Sequence, residues 1–338
     1  MGGTFVLTEE AEEVEALNEI MQQTGTARKG GLASQTKRRR SPGRSGASRG
    51  GDLLAGYFFL LPTLVIFTVF ILIPVGWSFY LSLHEIGPMG LGTIWVGLDN
   101  YKELLTSASY LNSIKVTALF ALGVVPTGMG LALFLAILLN RPLKGIAIYR
   151  TALFAPVVLS SAIAGVIWSF LYSPTVGYLN YFLHRFGVAQ PPNWLADPNW
   201  ALVAVAMTTV WKEMGFTTII LLAGLQGIPD HLYEAARIDG AGKWAAFRNI
   251  TIPMLSPTLF FVLIISVIHS FEAFGQIHVL TRGGPIEATN VLVYSIYQDA
   301  FINFRSGYAS AQAYVLFVIV LVMTLIQFGV LGKRIHYE

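Results

Sequence analysis

Apolar residues in this chain gather into long uncharged runs, unlike the short periodic stretches that build a soluble core. Spanning a bilayer takes about 20 apolar residues at roughly 1.5 Å each. Six segments meet that length: residues 57–83, 116–139, 151–172, 200–226, 258–280 and 309–331. The first carries no charge, the fourth is interrupted by Lys212 and Glu213, and the fifth contains Glu272. Pro62, Pro74, Pro126 and Pro156 fall inside the runs. Interior prolines are costly in soluble helices, but packed membrane helices tolerate them because neighbours satisfy the freed backbone groups. The pattern predicts an all-α integral membrane protein with six transmembrane helices.

Composition agrees. Of 338 residues, 54% are hydrophobic and 12% charged, where a soluble domain carries about 25% charged residues. The net charge of +3 does not imply a nucleic-acid partner, since 8 of the 22 Lys and Arg lie between Arg28 and Arg49, just ahead of the first apolar run. Basic residues there read as an anchor on anionic lipid. With no cysteine in the chain, disulfides, thiolate metal sites and a cysteine nucleophile are excluded.

Positive charge also sets the orientation. With the N-terminus inside, 16 Lys and Arg are cytoplasmic and 5 are outside, Lys212 lying within a span. Both termini are therefore expected in the cytoplasm. Residues 1–52 are read as a cytoplasmic, mostly disordered tail. It opens with six glutamates from Glu9 to Glu19 among Val14, Leu17 and Ile20, and continues Gly-, Ser- and Arg-rich. The basic segment lies too far from the start for a signal peptide. Residues 53–338 form the six-span domain. Its outside connections, near 83–115, 173–199 and 281–308, are rich in Gly, Pro, Asn and aromatics and read as turns and short interfacial helices.

The inside connection 227–257, GIPDHLYEAARIDGAGKWAAFRNITIPMLSP, is long and structured. Pro229 and Asp230 suit a first helical turn, and Asp239-Gly240 is a stop with Gly240 fit for a left-handed cap. A second short helix is expected over about 242–250, with Pro253 and Pro257 punctuating the approach to the fifth span. A helix–turn–helix of this kind suits docking. Ala235 and Ala236 allow close approach, Glu234 can pair with an arginine, and Trp244 and Phe247 can anchor in a pocket.

Glu234-Ala235-Ala236, Asp239-Gly240-Ala241, Phe247, Ile250 and Pro253 resemble the EAA motif of binding-protein-dependent ABC importers. Residues 60–83 resemble the opening span of the carbohydrate-uptake permeases in that family. Gly97-Leu98-Asp99-Asn100-Tyr101, Leu280-Thr281-Arg282-Gly283-Gly284-Pro285 and Tyr294-Ser295-Ile296-Tyr297 resemble their outside loops. The chain looks most like the maltose and glycerol-3-phosphate permeases, without the extra N-terminal spans and large periplasmic insert of the maltose subunit. The resemblance implies a type I ABC importer permease fold in a prokaryotic inner membrane. It implies four kinds of partner: a second, homologous permease, two ATPase subunits, an extracytoplasmic solute-binding protein and the lipid bilayer. Glu234, Ala235, Ala236, Asp239, Gly240, Trp244 and Phe247 would couple to the ATPase, which would bind ATP and Mg; this chain would bind no cofactor.

Nothing in the sequence reads as an enzyme. Gly242-Lys243 is followed by Trp244 and has Arg237 where a phosphate loop needs its first glycine. The histidines, at 84, 184, 231, 269, 278 and 336, form no metal-ligand spacing, and no catalytic group is assigned. Polar groups inside spans mark substrate paths. The candidates are Trp211, Lys212, Glu213 and Phe216 in the fourth span. In the fifth, Ser266, His269, Ser270 and Ala273 share one helical face, and Glu272 and Gln276 an adjacent one. A sugar would bond these groups and stack on Trp211 or Phe271. The alternative for any of them is structural bonding between helices. An ion-gradient-driven secondary transporter, a channel and a membrane scaffold are the rival functions. The first needs inverted repeats and the second a repeated filter or charged ring, and neither is legible; the scaffold leaves the loop's motif without a role.

Overall fold

A computed structural model describes residues 49–87, 92–141 and 144–330. The expected tail over 1–52 therefore falls almost wholly outside the described residues, as does the C-terminal segment 331–338. An N-terminal unit ends at Ile71 and a larger unit follows. In the first, helix α1 (Arg49–Phe67) passes through Pro62, and a π-helical turn, Thr68–Leu72, follows it.

Among the described residues, five helical stretches are long and apolar enough to cross a membrane: Tyr57–Ser82, Ala108–Leu139, Pro198–Gln226, Lys243–Leu280 and Ser306–Val330. A bent pair, Ile146–Val158 and Ser161–Leu171, makes a sixth if counted as one span. The bend, 103°, is a feature the uninterrupted apolar run 151–172 does not announce. Its cause is local. Pro156 lacks the N–H that would continue the ladder, and Leu159 and Ser160 take extended backbone angles. Ser160 then caps the second half, its hydroxyl accepting the Ile163 N–H at 3.2 Å.

The larger unit begins with α2 (Ile73–Ser82), which leads into strand β1 (His84–Ile86), paired antiparallel with β2 (Thr93–Trp95). This ribbon replaces part of the turn-and-helix connection expected there. After α3 (Asp99–Thr106) comes α4 (Ala108–Leu139), which starts eight residues before the apolar run because Ser107 caps it, accepting the Tyr110 N–H at 3.3 Å. The bent pair is α5 (Ile146–Val158) and α6 (Ser161–Leu171), followed by α7 (Tyr178–Arg185) and α8 (Pro198–Gln226). Helix α9 (Asp230–Ile238) and the short α10 (Lys243–Ala246) form the loop. Then come α11 (Ile252–Phe271), α12 (Gly275–Leu280), α13 (Leu292–Tyr297) and α14 (Ser306–Val330).

Two boundaries differ from expectation. The loop's second helix is not separate, because the π-turn Phe247–Thr251 carries α10 directly into α11. Pro253 follows that π-turn, where its missing N–H removes one rung of the ladder, and the helix runs on through Pro257. The fifth span, conversely, is interrupted at Glu272–Phe274, so Glu272 and Gln276 stand on opposite sides of a break and do not share a helical face.

Helices α4, α8 and α11 form the centre. Half of the most apolar stretch of α8 is buried inside the chain, against 6% for α14, which puts α8 in the middle and leaves α14 largely facing outward. Phe120 and Val124 pack with Val205, Val210 and Ile277 toward one end of the bundle. At the other end Ala132 and Ala136 meet Leu221, Leu225, Leu255 and Val262. Polar groups in this interior bond back to their own helices. The hydroxyls of Thr208, Thr209 and Thr218 donate to the carbonyls of Ala204, Val205 and Met214.

Thr117 ties the start of α13 to α4. Its hydroxyl donates to the Ser113 carbonyl at 2.7 Å and accepts the Leu292 N–H at 2.8 Å, all buried. Thr117→Val keeps the shape but strands that N–H, and should cost about 1–3 kcal/mol. Thermal unfolding of the purified protein would register the loss, and Thr117→Ser should restore most of it. Across the same surface Arg305 grips Glu103, with Nη2 2.6 Å from Oε2. The Glu103 carboxylate raises the guanidinium pKa above its ordinary value. Half-exposed, the pair adds at most about 1 kcal/mol.

Candidate functional site

A cavity of about 270 Å³ opens between α8 and α11, bordered by Val157 of the bent third segment. Helical spacing explains its lining. Lys212, Phe216 and Ile220 recur every four residues on α8, and Glu213 and Thr217 form a neighbouring row. From α11, Val262, Ile265, Ser266 and His269 face them at i, i+3, i+4 and i+7. Both helices mix apolar side chains with polar ones, so the lining offers an ammonium, a carboxylate, two hydroxyls and an imidazole among apolar groups. That mixture can bond a small hydroxylated or charged solute and pack its carbon skeleton.

Five of the residues anticipated from sequence thus meet in one place: Lys212, Glu213, Phe216, Ser266 and His269. The others lie elsewhere. Trp211 packs edge-to-face on Trp168 at 5.6 Å and borders a different, apolar cavity of about 550 Å³ with Leu135, Pro156 and Met214. Phe271 is buried against Ala121, Val125 and Val267, so neither ring is placed to stack on an occupant of the smaller cavity. Ser270 is buried and donates to its own helix at the Val267 carbonyl, 2.7 Å away. Ala273 belongs to the apolar cluster around Ile277, Gln276 is buried and Glu272 is exposed. Thr217, Ile220, Val262, Ile265 and Val157 line the cavity without having been singled out. Thr217 stands one turn after Glu213, so the spacing offered a signal. Val157 offered none, because only the bend in the third segment brings it there.

Close packing fixes the α8 wall. A Cβ on Gly215 would collide with the Leu153 carbonyl oxygen and lie 3.1 Å from Val157 Cγ2. Glycine at this position lets α8 sit directly on α5, which in turn sets the depth of the cavity beside it.

The loop presents a second surface. In α9, Leu232 and Tyr233 pack toward the Leu221–Leu255 cluster, and the Tyr233 hydroxyl lies 3.0 Å from that of Thr251. Glu234, Ala235, Asp239 and Gly240 are exposed, and Ala236 is half-buried. The helix ends in a left-handed turn at Gly240, φ +76°. The Ala241 N–H donates to the Ala236 carbonyl at 2.9 Å and the Gly240 N–H to the Arg237 carbonyl at 3.2 Å, the arrangement of a glycine-terminated helix. Trp244 is 71% exposed, its ring 5.4 Å from that of Phe247. A large aromatic standing clear of its own protein beside small side chains and a free carboxylate is the make-up of a docking face.

The sequence profile described as "Binding-protein-dependent transport system inner membrane component" matches residues 51–336. The chain is 39% identical over 282 residues to the sn-glycerol-3-phosphate transport system permease protein UgpA of Agrobacterium fabrum (strain C58 / ATCC 33970), a match covering 83% of this chain and 96% of the relative. It is likewise 39% identical over 283 residues to UgpA of Brucella abortus biovar 1 (strain 9-941), with 83% and 96% covered. Among solved structures, it resembles a bacterial ABC transporter involved in the import of the acidic polysaccharide alginate. The TM-score is 0.72 at 26% identity, over 84% of this chain and 96% of that one. A family match of this extent excludes the ion-driven transporter, the channel and the scaffold. The chain therefore belongs to the binding-protein-dependent transport system inner membrane component family, as a non-catalytic, multi-pass permease subunit of an ABC importer in the bacterial inner membrane.

Proposed function

We propose that this permease imports sn-glycerol 3-phosphate or a similarly small phosphorylated polyol, and that the solute passes through the cavity between α8 and α11. The observation that carries the reading is the meeting of Lys212, Ser266 and His269 with the apolar side chains of Phe216 and Ile220 in about 270 Å³. An ammonium suits a phosphate, hydroxyls and a carboxylate suit polyol hydroxyls, and the small volume suits a three-carbon solute over a long oligosaccharide. The permeases at 39% identity are named for sn-glycerol 3-phosphate, and the alginate transporter also handles an anion.

In this reading the bent pair counts as the third of six spans, and both termini lie in the cytoplasm with most of the positive charge. The chain forms half of the path, beside a second homologous permease. An extracytoplasmic solute-binding protein delivers the solute, and two ATPase subunits holding ATP and Mg grip the loop around Glu234, Ala235, Ala236, Asp239, Gly240, Trp244 and Phe247. Closure of the ATPase pair draws the two loops together and rocks the spans from inward-open to outward-open; hydrolysis resets them.

Uptake of labelled glycerol 3-phosphate into proteoliposomes holding the full assembly tests the reading. Uptake should require ATP and the binding protein. Lys212→Met should lower it about ten-fold, the loss of one charge-assisted contact, while assembly is retained. Robust uptake of a neutral oligosaccharide, unaffected by Lys212→Met, would replace the phosphorylated solute with a sugar.

A further inference from the structure

We infer that a second, basic pocket, walled by the loop itself (Ala236 and Phe247 among its lining) and by the end of α4, binds a phosphate group. This pocket, about 380 Å³, lies where three segments converge: the end of α4 (Ile137, Asn140, Arg141), α9 (Tyr233, Arg237) and the stretch from Lys243 to Thr251. It is distinct from the cavity between α8 and α11, with which it shares no lining residue. Its three charged lining residues, Arg141, Arg237 and Lys243, are all cationic, and no carboxylate among the described residues lines it. Among the described residues the ion pairs are Lys102–Asp99 and Arg305–Glu103, so no acid among the described residues neutralises the three.

Each cation alone has an ordinary explanation. Arg237 lies in the last turn of α9, where a positive charge favours the helix dipole, and exposed lysines are usually solvated. The convergence is what those explanations leave out. Two regions far apart in sequence, the end of α4 and the loop, bring their positive charges to one concavity, whose remaining polar groups, Asn140, Tyr233 and Thr251, are neutral. Two guanidinium forks and an ammonium around a recess match a tetrahedral oxyanion, and arginine suits phosphate because its donors are planar and paired. Asp230, Glu234 and Asp239, the acids of the same loop, are exposed like the three cations but do not line the recess.

Phosphate can reach the recess from two sources: the phosphodiester headgroup of an anionic lipid or a soluble phosphate ester. Either would bridge the loop to the end of α4 and restrain it. The site does not depend on the identity of the transported solute, so its failure would leave the preceding reading intact.

The test uses the assembled transporter in lipid nanodiscs, followed by its thermal unfolding midpoint. One arm titrates inorganic phosphate against chloride of equal ionic strength in phosphatidylcholine discs; the other replaces phosphatidylcholine with phosphatidylglycerol. The midpoint should rise in at least one arm, and Arg141→Gln with Lys243→Gln should weaken the response about ten-fold or more. Arg141→Lys with Lys243→Arg should retain it, as should Lys144→Gln, which removes an exposed cation outside the pocket. A rise with inorganic phosphate identifies a soluble ester, and a rise with phosphatidylglycerol alone identifies a lipid. No rise in either arm, or an equal rise in the double glutamine variant, overturns the proposal. So does loss of the ATPase subunit from the double glutamine variant with its phosphate response unchanged, which would make the cations a protein-docking cluster.

Discussion

Glu234→Arg combined with Gly240→Pro should reduce ATP-driven uptake by about 100-fold or more, the equivalent of roughly 3 kcal/mol of docking energy. The chain itself should still insert and fold. Both positions are exposed, and a Cβ on Gly240 would meet no atom within 4 Å, so no packing inside the chain is lost. What changes is the docking face. Reversing the charge of Glu234 places repulsion where a partner arginine would pair. Proline at 240 removes the N–H that bonds the Arg237 carbonyl and cannot adopt φ +76°, so the stretch carrying Trp244 leaves α9 in another direction. Affinity purification from detergent-solubilised membranes gives the check, with the ATPase subunit recovered alongside the wild-type chain and lost from the variant. Gly240→Asn is the control, because asparagine tolerates the left-handed cap and should keep the ATPase bound. Full ATPase recovery with the double variant would remove the coupling role from this loop.

The second large effect is on stability. Gly215→Val should destabilise the chain by about 3 kcal/mol or more, since overpacking a dense interior forces backbone movement. The obstacle is the Leu153 carbonyl, which has no rotamer to escape through, with Val157 Cγ2 3.1 Å behind it. Relief requires α5 to move off α8, and Val157, a cavity wall, moves with it. The thermal midpoint should therefore fall and solute uptake should fall with it. Gly128→Ala gives the comparison. Its Cβ would lie 3.9 Å from Val210 Cγ2, ordinary contact, and alanine is the better helix former, so stability should hold or rise slightly. An unchanged midpoint for Gly215→Val would mean that α5 and α8 are not packed as described.

Much of the candidate site was readable as spacing. Lys212, Glu213 and Phe216 on one span, with Ser266 and His269 on the next, meet because a helix that continues carries its face with it. The same reasoning failed for Glu272 and Gln276, since the helix stops at Phe271 and restarts at Gly275. The apolar run 258–280 gives no sign of that stop. Trp211 and Phe271 were misplaced for a related reason. Aromatic residues in a membrane span are apolar on every side, so hydropathy cannot say which of them faces a cavity and which fills the contact between helices. Arg141 was assigned only to the inside rim, and nothing in its surroundings announces that it meets Arg237 and Lys243.

The sequence by itself determined the solvent of this protein, the number and order of its apolar runs and the family motif of its loop. Each follows from runs of neighbouring residues, through the length of a helix against a bilayer and the residue types that start and stop helices. The tertiary structure alone decided the 103° bend after Pro156, the break at Glu272 and the fusion of the loop's second helix with the fifth span. It alone decided which polar residues share a cavity. Within a bilayer most of each span's circumference is apolar, so hydrophobicity drives insertion but does not orient one helix against another. That choice falls to close contacts such as Gly215 on Leu153 and to buried bonds such as Thr117 with Leu292. Both join residues distant in sequence, which is why no local pattern displays them.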